Sequence, residues 1–233
     1  MFLADVGLDP LDLLFLAAAG GLVGVDSVTW LQAMISRPIV AGTIGGALVG
    51  GPAAGFLVGA FLELLSFRHP PYGAARYPDV ATASLIAGAG YAAAGGSGLG
   101  SLLLVLVAGW GIGWIGTRSV QALRAFNTRL AADSAYLARK PARIEIRQRL
   151  GIALDGFRAA LLTASFTIPV ALLATFANRF TGRWEGGSVA AGLVVVGLAG
   201  VVGAGSRTIG GTFRLWPLLL VGAGAAFLTV ALL

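Results

Sequence analysis

Glu63 is the single charged residue in the 28-residue apolar run Ile39–Ser66, and Asp79 follows that run after a loop holding Arg68, His69 and Arg76. A carboxylate in apolar surroundings is costly unless something polar needs it. The two oxygens of Glu63 offer about four acceptor sites, enough to take hydrogen bonds from the hydroxyls of a polar solute. The structural alternative is an ion pair with Arg37, Arg68 or Arg76, or an interfacial position at a helix end. Asp79 follows Pro78 and precedes an apolar helical run, where it fits an N-cap for the Ala81 or Thr82 amide, a role compatible with ligand contact. Asp26 is likewise a cap or a polar contact. Gly73-Ala74-Ala75 exposes backbone amides that can meet a hydroxyl, or forms a plain tight turn. Arg37, just before Pro38, reads as an anchor at the membrane interface. His69 has no acid or nucleophile near it in sequence, so general acid–base work is not expected of it.

The elements that must position these groups are unusual. Pro52 splits the apolar run into Ile39–Gly50 (12 residues) and Pro52–Ser66 (15 residues). At about 1.5 Å per residue these are roughly 18 and 22 Å long, short of a hydrocarbon core of about 30 Å. Two half-length helices meeting at Gly50-Gly51-Pro52 fit better than one span, because Pro suits a first helical turn and Gly tolerates the connection. Gly51, Gly55, Gly59 and Glu63 recur every four residues and share one face. A glycine track lets another backbone come close, and broken apolar helices with a buried polar end are a transporter's means of holding solute.

Composition supports a membrane setting. Of 233 residues, 57% are hydrophobic and 11% charged, with 36 glycines and a mean hydropathy of +0.88. A soluble domain is nearer a quarter charged. The apolar runs are continuous rather than alternating, which argues helices and against a β-barrel. The expected class is an all-α polytopic membrane protein of about six to eight transmembrane or re-entrant helices, including broken half-helices. The chain reads as one membrane domain, 1–233, with a broken-helix core at 36–96. With no cysteine and one histidine, no metal centre and no cofactor are expected. No nucleophile–base pair or phosphate-cradling loop is visible, so no catalytic residue is assigned and the chain is not expected to be an enzyme by itself.

The net charge of +6 has one address. Residues 118–149 carry eight bases against Asp133 and Glu145, and the remainder is neutral. That is the positive-inside mark of one cytoplasmic segment, not a sign of nucleic-acid binding. Asp5, Asp9 and Asp12 near the start are wrong for a cleaved signal peptide, so the N-terminus is expected to be retained. Leu11–Val25 reads as a short span, and 26–37 as an interfacial segment with Asp26 at its N-cap. Val80–Gly96, made of small residues, suits a helix packed inside protein. Leu99–Gly116 is a span, continued by a polar helix from Arg118 to Arg139 that Pro141 is expected to end. Gly151–Ala177 is another span, with Asp155 and Arg158 placed to pair and Pro169 a kink. Ser188–Gly205 and Leu215–Leu233 complete the set, which places 178–187 outside and 206–214 inside. The five tryptophans lie near span ends, as belt residues do.

The run Ser36-Arg37-Pro38-Ile39-Val40-Ala41-Gly42, then Gly59-Ala60-Phe61-Leu62-Glu63-Leu64, Tyr72-Gly73-Ala74-Ala75 and Pro78-Asp79, resembles the IIC subunit of mannose/fructose/sorbose-type phosphotransferase systems (PTS). The basic middle segment, with Arg118, Asn127 and Ala131-Ala132-Asp133, is similar too. The motif block covers under a third of the chain. The resemblance implies a subunit of the bacterial cytoplasmic (inner) membrane that works in a complex with a separate IID subunit. It implies uptake of a hexose or related sugar by an elevator-like motion, with soluble IIA and IIB proteins passing phosphate to the sugar on the cytoplasmic side. The sugar would then lie near Glu63 and the Gly73–Asp79 loop, so the expected substrate-binding residues are Glu63, Asp79, Asp26, Gly73 and Ala74. Three departures stand out: Gly51 replaces the usual acid, Arg76-Tyr77 intrudes in the loop, and Phe67–Pro71 is more basic than usual. They leave a second reading, a non-transporting scaffold or regulator of the same fold. The tracks Gly51/Gly55/Gly59 and Gly197/Gly200/Gly203 further suggest grooves that a partner subunit fills.

Overall fold

The computed structural model describes residues 6–30, 32–66, 77–131 and 141–181. The described residues form six helices and no strand: α1 (Pro10–Val28), α2 (Pro38–Leu48), α3 (Pro52–Ser66), α4 (Val80–Ala93), α5 (Leu99–Ala131) and α6 (Pro141–Thr181). The all-α membrane class read from composition is what the chain adopts. Three helices, Pro10–Val28, Leu99–Arg129 and Ala142–Arg179, are long and apolar enough to cross a membrane. The expected spans at 188–205 and 215–233 lie outside the described residues, as do Gly73, Ala74, His69, Arg68 and Arg76.

The apolar run does break where Pro52 stands. α2 ends at Leu48, Gly50 turns the chain at φ +81°, and Pro52 opens α3. The two short helices fold back on each other as a hairpin. Their contact is backbone on backbone: a Cβ on Gly55 would lie 2.2 Å from the Gly42 carbonyl oxygen, and one on Gly59 2.4 Å from that of Pro38. The glycine track expected to receive a partner subunit is therefore filled from within the chain, by α2 and, at Gly51, by Ala92 of α4. Glycines at 42, 46, 55 and 59 pack against one another on facing surfaces, and this track leaves no outward groove.

α4 is the centre. It is buried from Val80 to Tyr91 on every face, as its small-residue composition predicts, and it touches each of the other five helices. The α2–α3 hairpin covers one side, with Gly88 of α4 against the Gly42 carbonyl. α5 and α6 cover the other, and α1 lies along α6. One apolar cluster joins Val58, Leu62, Ile86, Leu102 and Val105. A second joins Leu16, Val23, Ala41, Leu85 and Ala171.

α5 carries the expected span and its polar continuation in one helix, and α6 exceeds its expected length. At 33 and 41 residues they measure about 50 and 62 Å, against about 30 Å of hydrocarbon. Their exposed, arginine-bearing ends, with Arg118, Arg124, Arg143 and Arg149, therefore reach beyond the apolar layer. Pro141 begins α6, and the expected end of the polar helix at Arg139 lies outside the described residues. The missing N–H of proline is harmless at a first helical position, so the same residue serves a start as readily as a stop.

Candidate functional site

Asp26 occupies the last turn of α1, not the N-cap of an interfacial helix. The segment after it is a chain of turns in which Gln32 (φ 51°) and Met34 (φ 64°) take left-handed backbone conformations, which non-glycine residues adopt at a cost. Asp26, only 2% exposed, holds this segment in place. Its Oδ1 accepts from the Ala33 amide and its Oδ2 from the Ser36 amide at 2.9 Å. The carboxylate is a cap acting at a distance of seven to ten residues.

The next residue, Arg37, reaches Glu63. Arg37 Nη1 donates to Glu63 Oε1 at 3.2 Å, and the Ile39 amide donates to Glu63 Oε2 at 3.1 Å. α2 has Arg37 at its N-cap, which supplies no side-chain cap, and Pro38 has no N–H to satisfy. Glu63, from the neighbouring helix, provides the acceptor that the α2 N-terminus lacks and a negative charge where the helix dipole is positive. Both carboxylate oxygens are thus engaged within the chain, and the arginine alternative named from sequence is the pair that forms. Arg37 remains half exposed, whereas Glu63 is 16% exposed.

Asp79 is the N-cap of α4. Its Oδ1 accepts from the Thr82 amide at 3.3 Å and its Oδ2 from the Thr82 hydroxyl at 3.1 Å. The approach to it is seated on α5: the Asp79 amide donates to the Gly113 carbonyl at 2.9 Å, and the Thr117 hydroxyl lies 2.6 Å from the Tyr77 carbonyl. Gly116 is needed for this fit, since a Cβ there would stand 2.8 Å from Asp79 Cβ.

A third helix joins Asp79 from across the bundle. Arg158 of α6 donates from Nη1 to Asp79 Oδ2 at 3.3 Å and to Ser119 Oγ at 2.9 Å, and from Nε to Asp155 Oδ1 at 2.9 Å. Asp155 is fully buried. The Asp155–Arg158 pair expected from their spacing forms, but it is one side of a four-residue network, with Asp79 and Ser119, that ties α4, α5 and α6. Sequence reading does not connect Arg158 to Asp79, because 79 residues separate them. The available hint is the small-residue face Gly113, Gly116, Thr117 and Ser119 on α5, which leaves room for large polar groups opposite.

The structure thus places the candidate acids in two groups. Asp26, Arg37 and Glu63 hold the entry to α2, whereas Asp79, Asp155 and Arg158 hold the entry to α4. Among the described residues no cluster of three or more metal-ligating side chains occurs.

The sequence matches the family model EII-Sor, described as the sorbose-specific IIC component of the PTS system, over residues 11–232. Two solved structures share the fold. One, described as "Structure of membrane protein", superposes with a TM-score of 0.65 at 19% identity, covering 94% of this chain and 88% of that one. The other is a cryo-EM structure of the mannose transporter ManYZ with microcin E492 (MceA), with a TM-score of 0.59 at 21% identity and the same coverage. A search of curated protein sequences found no match. With all but a few residues at its two ends inside the family match, the chain belongs to the family of PTS sorbose-specific IIC components.

Proposed function

We propose that this chain is the sugar-translocating subunit of a mannose-type phosphotransferase permease in the bacterial cytoplasmic membrane. It binds a hexose or related sugar and moves it to the cytoplasmic face. There, soluble IIA and IIB proteins supply the phosphate. A membrane IID subunit completes the complex, and residues 118–149 face the cytoplasm. The observation that carries the reading is Asp79: in a IIC-family chain, its carboxylate lies inside the helical body at 6% side-chain exposure, held by an arginine from another helix.

In this reading Glu63 and Asp79 accept hydrogen bonds from sugar hydroxyls. Asp26, both of whose oxygens hold backbone amides, supports the loop that carries Arg37. Gly73 and Ala74 contribute backbone amides to the same sugar. The test is sugar-dependent thermal stabilisation of the complex purified with its IID partner, using mannose and sorbose. Glu63→Ala and Asp79→Ala abolish it, while Asp79→Asn, which keeps an acceptor for Thr82, controls for folding. Unchanged sugar binding in both alanine variants removes the proposed site.

One observation favours a second reading, a non-transporting scaffold of the same fold: Arg37 and the Ile39 amide already occupy both oxygens of Glu63. That reading requires that the wild-type complex bind no hexose at all.

A further inference from the structure

The Arg158–Asp155 contact is half made. A guanidinium and a carboxylate on one face of a helix can form two parallel hydrogen bonds, yet here only Nε meets Oδ1, at 2.9 Å. Arg158 Nη2 and Asp155 Oδ2 are both buried and neither has a partner among the described residues. Arg158 is 10% exposed and Asp155 not at all. A buried charged donor and a buried charged acceptor left open on the same ion pair are a standing cost, and native interiors rarely keep such groups unmet.

The two orphans are opposite in kind. Nη2 can only donate, and an ionised Oδ2 can only accept. Another carboxylate would repel Oδ2, and an ammonium would repel Nη2. A hydroxyl suits both, since its oxygen accepts from Nη2 while its hydrogen goes to Oδ2. The other guanidinium nitrogens are committed, Nη1 to Asp79 and Ser119 and Nε to Asp155, so the ring of partners around the opening is fixed. What exposure the cluster has lies on its Arg158–Asp79 edge, with Asp155 innermost. A hydroxyl compound would therefore come in along the side of Arg158 and Asp79.

We propose that the open side of the Arg158–Asp155 pair seats one hydroxyl group of the transported sugar, making these two residues specificity determinants beside Asp79. This rests on the sugar-transport reading above. The same chemistry is available to a water molecule, and the experiment separates the two sources.

The experiment is a cycle between protein and ligand. The complex with the IID partner is titrated with mannose, sorbose and their monodeoxy analogues, as wild type, Arg158→Lys and Asp155→Asn. Lysine keeps the charge but has no second nitrogen to offer. Asparagine keeps an acceptor for Nε and replaces the Oδ2 acceptor by a donor. In the wild type, removal of one particular hydroxyl weakens binding about 10- to 100-fold, as expected for a hydrogen bond to charged groups. In either variant the parent sugar binds correspondingly less tightly, and that same hydroxyl no longer matters. Deoxy penalties that stay unchanged in both variants, while only the melting temperature moves, would mean a trapped water or a purely structural pair and overturn the proposal. A wild-type complex that binds neither parent sugar would overturn the transport reading and this inference with it.

Discussion

Gly55→Ala is the sharpest test of how the α2–α3 hairpin is held. An added Cβ would stand 2.2 Å from the Gly42 carbonyl oxygen and 2.8 Å from Gly46 Cα. Both obstacles are backbone, so no rotamer change relieves them. Ordinary contact begins at about 3.4 Å, and α2 must therefore retreat by roughly 1 Å along its length. Such overpacking costs about 1–3 kcal/mol. The gain in helix propensity from Gly to Ala, about 1 kcal/mol, offsets part of this. The net expectation is a loss of about 1–2 kcal/mol. Gly111→Ala is the matched control: it too lies in an apolar helix, but its added Cβ meets nothing within 4 Å, so only the propensity gain remains. The assay is the midpoint of heat-induced loss of the monodisperse complex in detergent. Gly55→Ala lowers the midpoint, and Gly111→Ala leaves it unchanged or raises it. Equal midpoints for the two variants would refute the claim that facing glycines set the hairpin spacing.

Asp26→Ala removes two acceptors from the turns after α1 and costs about 2 kcal/mol, moderated by water reaching the half-exposed amides. Asp26→Asn, which keeps one acceptor, loses about half as much, and limited proteolysis between α1 and α2 reports both. Glu145→Ala breaks the pair with Arg149, whose partners are 60% and 77% exposed. It leaves the melting midpoint unchanged at low and at high salt, because exposed pairs contribute little.

The parts of the fold that are legible in sequence share a local cause. Pro52 and Gly50 mark the break between α2 and α3 because ring closure and a positive φ act within a residue or two. The internal position of α4 can be read from its preponderance of Ala, Gly, Ser and Thr, and the Asp155–Arg158 pair from a three-residue spacing. Long-range matters are hidden. Nothing in the order of residues tells that Gly55 meets Gly42 rather than a partner subunit, since a glycine face is equally open to either. Pro141 reads equally as a stop or a start because proline fits both ends of a helix. Asp26 looks from its position like a cap for the residues directly after it, whereas its carboxylate reaches amides on the far side of a reversal. That the candidate acids are partly buried acceptors is readable. Their partners, Arg37 for Glu63 and Arg158 for Asp79, depend on which helices lie side by side.

The encasement of α4 sets a timetable for biogenesis. This 14-residue helix is too short to cross a bilayer unaided, at about 21 Å, and too poor in bulky groups to be stable against lipid. Yet Gly90, near its end, is closed over by Val170 and Ala171, which the ribosome delivers 80 residues later. At about 5–20 residues per second the nascent segment waits several seconds for its final neighbour. During that interval the α2–α3 hairpin, already synthesised and able to dock through glycine, is the only shelter among the described helices that precede it apart from α1. Early docking of that hairpin would thus keep a weakly hydrophobic segment from slipping back out of the membrane.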